Sequence, residues 1–284
     1  MCRQALFNKK GVELIDKEYG GLENFLSFLI LERGGNGNGL VLVKDSKIVY
    51  FKKGVDYSLE EVADTIRKMD FDYAHFHTRL ATIGAINDHN CHQFVYSDDF
   101  AVCMNGTEDD YASPRDADYS GDMTDAERVI REFFDSGLSP QEFFLSGKLS
   151  SAFSGFYQGK PFVASNSKNL IRVLSKDDAL VFASDFPWRY NGKNIYDLTK
   201  GGFYWSEGME VPFEELKPAK TGRACIVDGI ARQILDKRSD TLVTMLAQKT
   251  GRKEDEFQSF IVEDILDECD KEDILFAGNV RVRK

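Results

Sequence analysis

The chain has 284 residues and a formal net charge of −11. An excess of acid this large opposes the clustered Lys and Arg that hold a phosphate backbone, so nucleic acid is not an expected partner. No apolar run approaches the roughly eighteen residues of a spanning helix, and the start lacks a basic segment leading into an apolar one, so neither a membrane nor secretion is expected. The five cysteines, Cys2, Cys91, Cys103, Cys225 and Cys269, are scattered, odd in number and without a CxxC pair. That usage predicts reduced thiols in a cytoplasmic compartment.

Taken in chain order, "CRQALFN" (2–8) reads as a short strand. "GLENFLSFLILERGG" has apolar residues at helical spacing and ends in Gly34 and Gly35, a C-terminal signal. "GLVLVKDSKIVYFKKG" reads as two strands joined at Asp45-Ser46. "SLEEVADTIRKM" is a helix with Ser58 and Glu61 in capping-box spacing. "YAHFHTRLA" and "FAVCMNG" alternate like strands. "TDAERVIREFF" opens a helix with the same capping spacing at Thr124 and Glu127, and buries Ala126, Val129, Ile130, Phe133 and Phe134 on one face.

After residue 147 the chain turns strongly β, with a hairpin through Gln158-Gly159 and further strands at "ALVFASD" and "GGFYWSEG". From about residue 215 "DTLVTMLAQKT" and "SFIVEDILDECDKEDILF" read as helices, and the chain ends in basic "RVRK". Mixed α and β order with many hairpins, rather than an alternating βαβ series, predicts an α+β protein with antiparallel sheets.

All four histidines, His75, His77, His89 and His92, fall within one stretch beside Cys91. His75 and His77 would share a strand face, which fits a metal site, yet no second ligand pair shows the spacing of a closed zinc site. Cys2 raises a different possibility. If Met1 is removed, this residue carries both a thiol and a free α-amine. A thiol is an intrinsically good nucleophile but only a few per cent ionised near neutrality. An α-amine with a reference pKa of about 7.7–8.0 is suited to act as its base.

The run "HFHTRLATIGAINDHNCHQF", followed by "AVCMNGT", resembles the class II glutamine amidotransferases, whose N-terminal cysteine is the nucleophile that releases ammonia from glutamine. His77, Arg79, Ala81, Thr82 and Gly84 match the family's His-x-Arg-x-Ala-Thr-x-Gly segment. Asn90, His92 and Phe94 match its Asn-x-His-Pro-Phe segment, and Asn105-Gly106 its His-Asn-Gly strand end. "ERGGNGNGLVLV", with Arg33, Gly34 and Gly39, "TDAERV", "GKPFVASNSKNLIRV", "VFASD" and "YDLTKGGFYW" agree with further family segments in order, so the resemblance spans roughly residues 2–207. The departures are Arg3 where most members have Gly, Gln93 in place of Pro, and Met104 in place of His. A Met-Cys-Arg start also occurs in a branch of stand-alone γ-glutamyl amide hydrolases.

The resemblance implies the N-terminal-nucleophile (Ntn) hydrolase fold, a four-layer αββα sandwich of two antiparallel sheets. It implies a glutaminase domain over residues 2–214, with 215–284 left as a helical C-terminal extension of unassigned role. It implies catalysis by Cys2, with Asn105 and Gly106 as oxyanion donors. Substrate would be held by Arg79 at the α-carboxylate and Asp125 at the α-ammonium, with Thr82 and His77 alongside and Arg33 near Cys2. His77 and His92 are expected to be scaffold residues rather than acids or bases. The substrate would be glutamine or another γ-glutamyl amide, and no cofactor or metal is implied. About seventy residues are too few for a synthase domain, so a separate enzyme is expected to accept the ammonia. Two alternatives stay open: a non-catalytic amidotransferase-like binding or regulatory protein, and a metalloprotein built on the histidine cluster.

Overall fold

The computed structural model describes residues 2–18, 20–112, 123–166, 171–186, 194–198, 202–205, 208–209, 274–277 and 280–283. The first strand, β1 (Arg3–Asn8), has its middle four residues buried. It is the central strand of a seven-stranded sheet. Its neighbours are β10 (Ala179–Ala183) and β4 (Tyr73–Thr78), both antiparallel. Outside β10 come β9 (Ile171–Lys176) and β11 (Ile195–Leu198); outside β4 come β2 (Asn38–Lys44) and β3 (Lys47–Gly54). The β2–β3 turn is the expected Asp45-Ser46 pair, with φ of 49° and 61°, as a tight primed hairpin requires.

A six-stranded sheet packs against the first. Its order is β13 (Gly208–Met209), β12 (Gly202–Trp205), β8 (Lys160–Ser165), β7 (Ala152–Tyr157), β6 (Phe100–Asn105) and β5 (Phe94–Ser97). "YDLTKGGFYW" therefore contributes one strand to each sheet: β11 pairs β9, while β12 pairs β8.

Period-two alternation gives each sheet two faces with different partners. On β1, Ala5 and Phe7 join a core with α1 (Lys9–Glu18), α2 (Leu22–Arg33) and α3 (Leu59–Lys68). Leu6 points the other way, into an inter-sheet core with Val41, Val43, Ala101, Phe156, Val163 and Phe182. Phe100, Val102 and Met104 of β6 face a third core with α5 (Asp125–Ser136) and α6 (Pro140–Phe144). The layers are thus α, β, β, α, the expected four-layer sandwich. A short α4 (Asp109–Ala112) follows the end of β6.

Three local expectations need correction. Helix α1 has no counterpart in the sequence reading, and Gly11 explains why. Glycine weakens helix propensity, but a Cβ at this position would lie 2.6 Å from Leu180 O and 2.8 Å from Val181 Cγ2. Its absence lets α1 lie close on β10. Second, Phe134 is not buried with Phe133. It is 41% exposed and packs at the sheet edge, its ring 5.2 Å from Tyr96 and 5.0 Å from Phe100. Third, "DILF" does not end a helix. Ile274–Ala277 and Val280–Arg283 pair as an antiparallel hairpin, β14 and β15, because "VRVR" alternates with period two. The helices expected between 215 and 273 lie outside the described residues. No helix among the described residues is long and apolar enough to cross a membrane.

Candidate active site

The pairing of Arg3 with Thr78 places Cys2, just before β1, beside the residues that leave the end of β4. The Cys2 thiol is 6% exposed. Leu80 N–H donates to its Sγ at 3.4 Å, and Sγ lies 3.7 Å from Leu80 O. Burial pushes the thiol above its ordinary value; the Leu80 hydrogen bond and the Arg79 charge pull it down, while Asp125 pushes it further up. Arg79 and Asp125 thus lie close enough to Cys2 for their charges to act on its thiol. The Arg3 guanidinium turns back and donates to Cys2 O at 3.3 Å.

Arg79 is 2% exposed and held by the loop it opens. Its guanidinium donates to Ala85 O at 2.7 Å and Ile83 O at 2.8 Å. A planar fork of five donors can make these bonds and still offer its other in-plane N–H groups to a carboxylate. Asn36 fixes the same segment from the other side. It donates its backbone N–H to Arg79 O at 2.9 Å and accepts Ala81 N–H on its side chain at 3.0 Å.

Asp125 is the first residue of α5, where the helix dipole favours a carboxylate. Thr124 caps this helix, its Oγ1 accepting Glu127 N–H at 3.1 Å. Glu127 does not complete the expected capping box. Its carboxylate contacts His89 Nε2 at 2.9 Å and so ties the 79–91 loop to α5. Asp125 is 5% exposed, and burial raises its carboxyl above the usual range. Its Oδ2 accepts Glu108 N–H at 2.9 Å. Glu108, itself buried, accepts Ser150 N–H at 2.8 Å and Ser151 N–H at 2.7 Å.

Asn105 ends β6 on the strand face shared with Cys103, toward the inter-sheet layer. It is 1% exposed, and its Nδ2 donates to Ser184 Oγ at 3.3 Å. The next residue, Gly106, has a φ of 156°, a conformation that a Cβ would strain. This puts an N–H at the start of the short segment that leads to Glu108.

The remaining sequence candidates take other positions. Thr82 is exposed on the 79–91 loop. His77 is fully buried and stacks on His92 with ring centroids 4.3 Å apart, and neither of its nitrogens finds a partner among the described residues. Arg33 is the last residue of α2, and its side chain lies outside the described residues. His75 Nε2 meets Ser154 Oγ at 2.8 Å, and His92 Nδ1 accepts Met104 N–H at 3.4 Å. Burial pushes both rings down to about 3, so both are neutral at pH 7. Among the described residues no three His, Cys, Asp or Glu side chains are arranged to hold a metal ion.

The fold recurs in solved structures. One is glutamine phosphoribosylpyrophosphate amidotransferase from B. subtilis complexed with ADP and GMP, similar at a TM-score of 0.52 and 17% identity. Another is the allosteric regulatory enzyme of purine biosynthesis, at a TM-score of 0.55 and 18% identity. This chain has the Ntn-hydrolase fold. The match to each covers 75% of this chain and 49% of the other, so the chain spans about half the length of those enzymes. At such identity the likeness concerns the fold. No family model matches the sequence, nor does a curated protein sequence.

Proposed function

We propose that the protein hydrolyses the side-chain amide of glutamine, or of another γ-glutamyl compound, with Cys2 as nucleophile. The observation that carries this reading is the convergence of Cys2, Arg79 and Asp125. The charges of Arg79 and Asp125, each tied by hydrogen bonds to backbone, act on the buried thiol. A free amino acid has the complementary pair: its α-carboxylate suits Arg79, and its α-ammonium suits Asp125. Held at those two points, the side chain extends toward the thiol. The fold supports an amide-hydrolysing enzyme in the coarse sense.

The reading requires the α-amine of Cys2 to be freed by removal of whatever precedes it. The thiol proton then passes to that amine as Sγ attacks the amide carbon. The C–O π electrons move to oxygen, and the oxyanion is met by Asn105 Nδ2–H and Gly106 N–H. When the C–N bond breaks, the amine returns its proton to the leaving nitrogen, which departs as ammonia. Water next attacks the thioester as the amine takes one of its protons; the S–C bond breaks, the amine passes that proton to the thiolate, and the new γ-carboxyl group leaves as a carboxylate, its proton going to solvent. Losing one oxyanion donor typically costs about 3–4 kcal/mol of barrier. In this reading residues 2–214 form the catalytic unit, and the ammonia passes to a separate acceptor.

Ammonia release from glutamine by the wild-type protein and a Cys2→Ala variant tests this directly, with intact mass measured on the same samples. The expected result is turnover from chains that begin at Cys2, loss in Cys2→Ala, and indifference to chelators. Active chains that retain Met1 would exclude the amine as base. Absence of turnover with every γ-glutamyl amide, and no covalent capture of Cys2 by a diazoketone analogue of glutamine, would overturn the reading.

A further inference from the structure

The link between the strand of Cys2 and Asn105 runs through one hydroxyl. Ser184 follows the last residue of β10 and lies opposite Gln4. Its backbone N–H donates to Gln4 O at 2.9 Å, an ordinary ladder bond. The N–H of Gln4 goes to the Ser184 side chain, at 3.0 Å from Oγ. The Asn105 amide donates to that same oxygen at 3.3 Å. The chain beyond is fixed as well, because Asp185 forms an ion pair with Arg172 of β9.

We infer that Ser184 is a positioning residue for amide hydrolysis, holding the Asn105 side chain where its Nδ2 faces the developing oxyanion; this rests on the function proposed above. A side-chain amide has two ends of opposite polarity and nearly equal shape. Turned by half a revolution, Asn105 would present Oδ1 to the oxyanion and repel it. A backbone N–H can only donate, so Ser184 Oγ must act as acceptor toward Gln4. Its second lone pair takes the Nδ2 end of Asn105 at 3.3 Å, and its own O–H is left over from both bonds. One Nδ2 hydrogen is used there, which leaves the other for substrate. Asn105 Oδ1 has no partner among the described residues, so Ser184 Oγ is the described group that fixes this side chain. Gln4 and Asn105 are each 1% exposed, so water is poorly placed to replace the hydroxyl. Gln4 is also two residues from Cys2, which refers nucleophile and donor to the same strand.

Steady-state glutamine hydrolysis by wild type, Ser184→Ala, Ser184→Thr, Asn105→Ala and the Ser184→Ala/Asn105→Ala double variant tests the inference. Capture of Cys2 by the diazoketone analogue and thermal unfolding run alongside show which variants remain folded. Ser184→Ala should lower kcat by about tenfold to a hundredfold with KM within about threefold, short of the roughly hundred- to thousandfold cost of deleting a donor. Ser184→Thr, which keeps the hydroxyl, should recover most of the loss. In the Asn105→Ala background Ser184→Ala should cost nothing further. A folded Ser184→Ala enzyme with unchanged kcat, or a double variant whose losses multiply, overturns the inference and leaves the proposed function standing. A wild-type protein without amide hydrolysis overturns both.

Discussion

The carboxylate of Asp125 accepts the backbone N–H of Glu108 at 2.9 Å, and this bond joins the start of α5 to the loop that leaves Asn105 and Gly106. The proposed ammonium site and the proposed oxyanion site are therefore parts of one hydrogen-bonded unit. Burial raises the Asp125 carboxyl above its ordinary value. A carboxyl that protonates more readily when folded than when unfolded favours folding below its unfolded pKa. That contribution is lost as pH rises through the folded pKa. At neutral pH the charge at Asp125 thus works against folding, as the proposed ammonium-binding role would require.

Asp125→Asn separates the two roles. Stability at pH 7 should be equal to or above wild type, and the difference should vanish near pH 3. The KM for glutamine should rise by roughly ten- to a hundredfold, as expected for a charge-assisted bond worth about 1.5–3 kcal/mol. Thermal unfolding against pH and steady-state kinetics check both. A variant that is less stable at pH 7 and binds glutamine normally would show that Asp125 serves the fold alone.

Glu108 holds the same unit from below. Its Oε1 accepts two backbone N–H groups, from Ser150 and Ser151, ahead of β7. Glu108→Ala leaves those donors short of a partner, at about 1–3 kcal/mol for each that stays buried. We expect a total loss of about 2–4 kcal/mol in urea denaturation. Glu108→Gln keeps an acceptor oxygen at the same reach and should lose about half as much or less. Equal losses for the two variants would mean that the charge, rather than the acceptor geometry, matters.

These connections mark the limit of what the sequence discloses. The strands were legible because their cores alternate with period two, and Cys2, Arg79 and Asp125 could be named as candidates because each sits in a recognisable segment. Ser184 and Glu108 were not, although "VFASD" and "MNGTED" stood in plain view. Their partners lie 79 and 42 residues away in sequence, and nothing local distinguishes a bridging hydroxyl from a surface one. Glu127 shows the same limit in reverse. Its spacing from Thr124 predicts a capping box, but its side chain leaves the helix end for His89. Helical periodicity also misplaced Phe134, since its exposure depends on where the neighbouring sheet stops.

Phe133 and Phe134 are adjacent in sequence, but they differ in surroundings. Phe133 is fully buried and packs against Phe100, Phe143, Phe144, Tyr157 and Phe162. Phe133→Ala should cost about 3–5 kcal/mol, the range for a large aromatic removed from a packed core. Phe134→Ala should cost about 1 kcal/mol or less, because its ring already meets water on one side. Parallel urea titrations decide this. Comparable losses at the two positions would mean that Phe134 is covered in solution.

The buried histidines set the response of the fold to acid. His75 and His92 are held at about 3 by burial, against about 6.5 in an unfolded chain. As pH falls below 6.5 the unfolded chain takes up protons that the folded one refuses, so stability must fall with pH across this window. The effect should already be visible between pH 7 and pH 5.5, above the range where most carboxylates titrate. Urea midpoints measured at half-unit steps should decline steadily there. His75→Gln, which cannot be protonated, should show a shallower slope over the same interval even where it costs stability at pH 7. A slope identical to wild type would mean that the folded state admits a proton at His75, through water reaching the layer between the sheets.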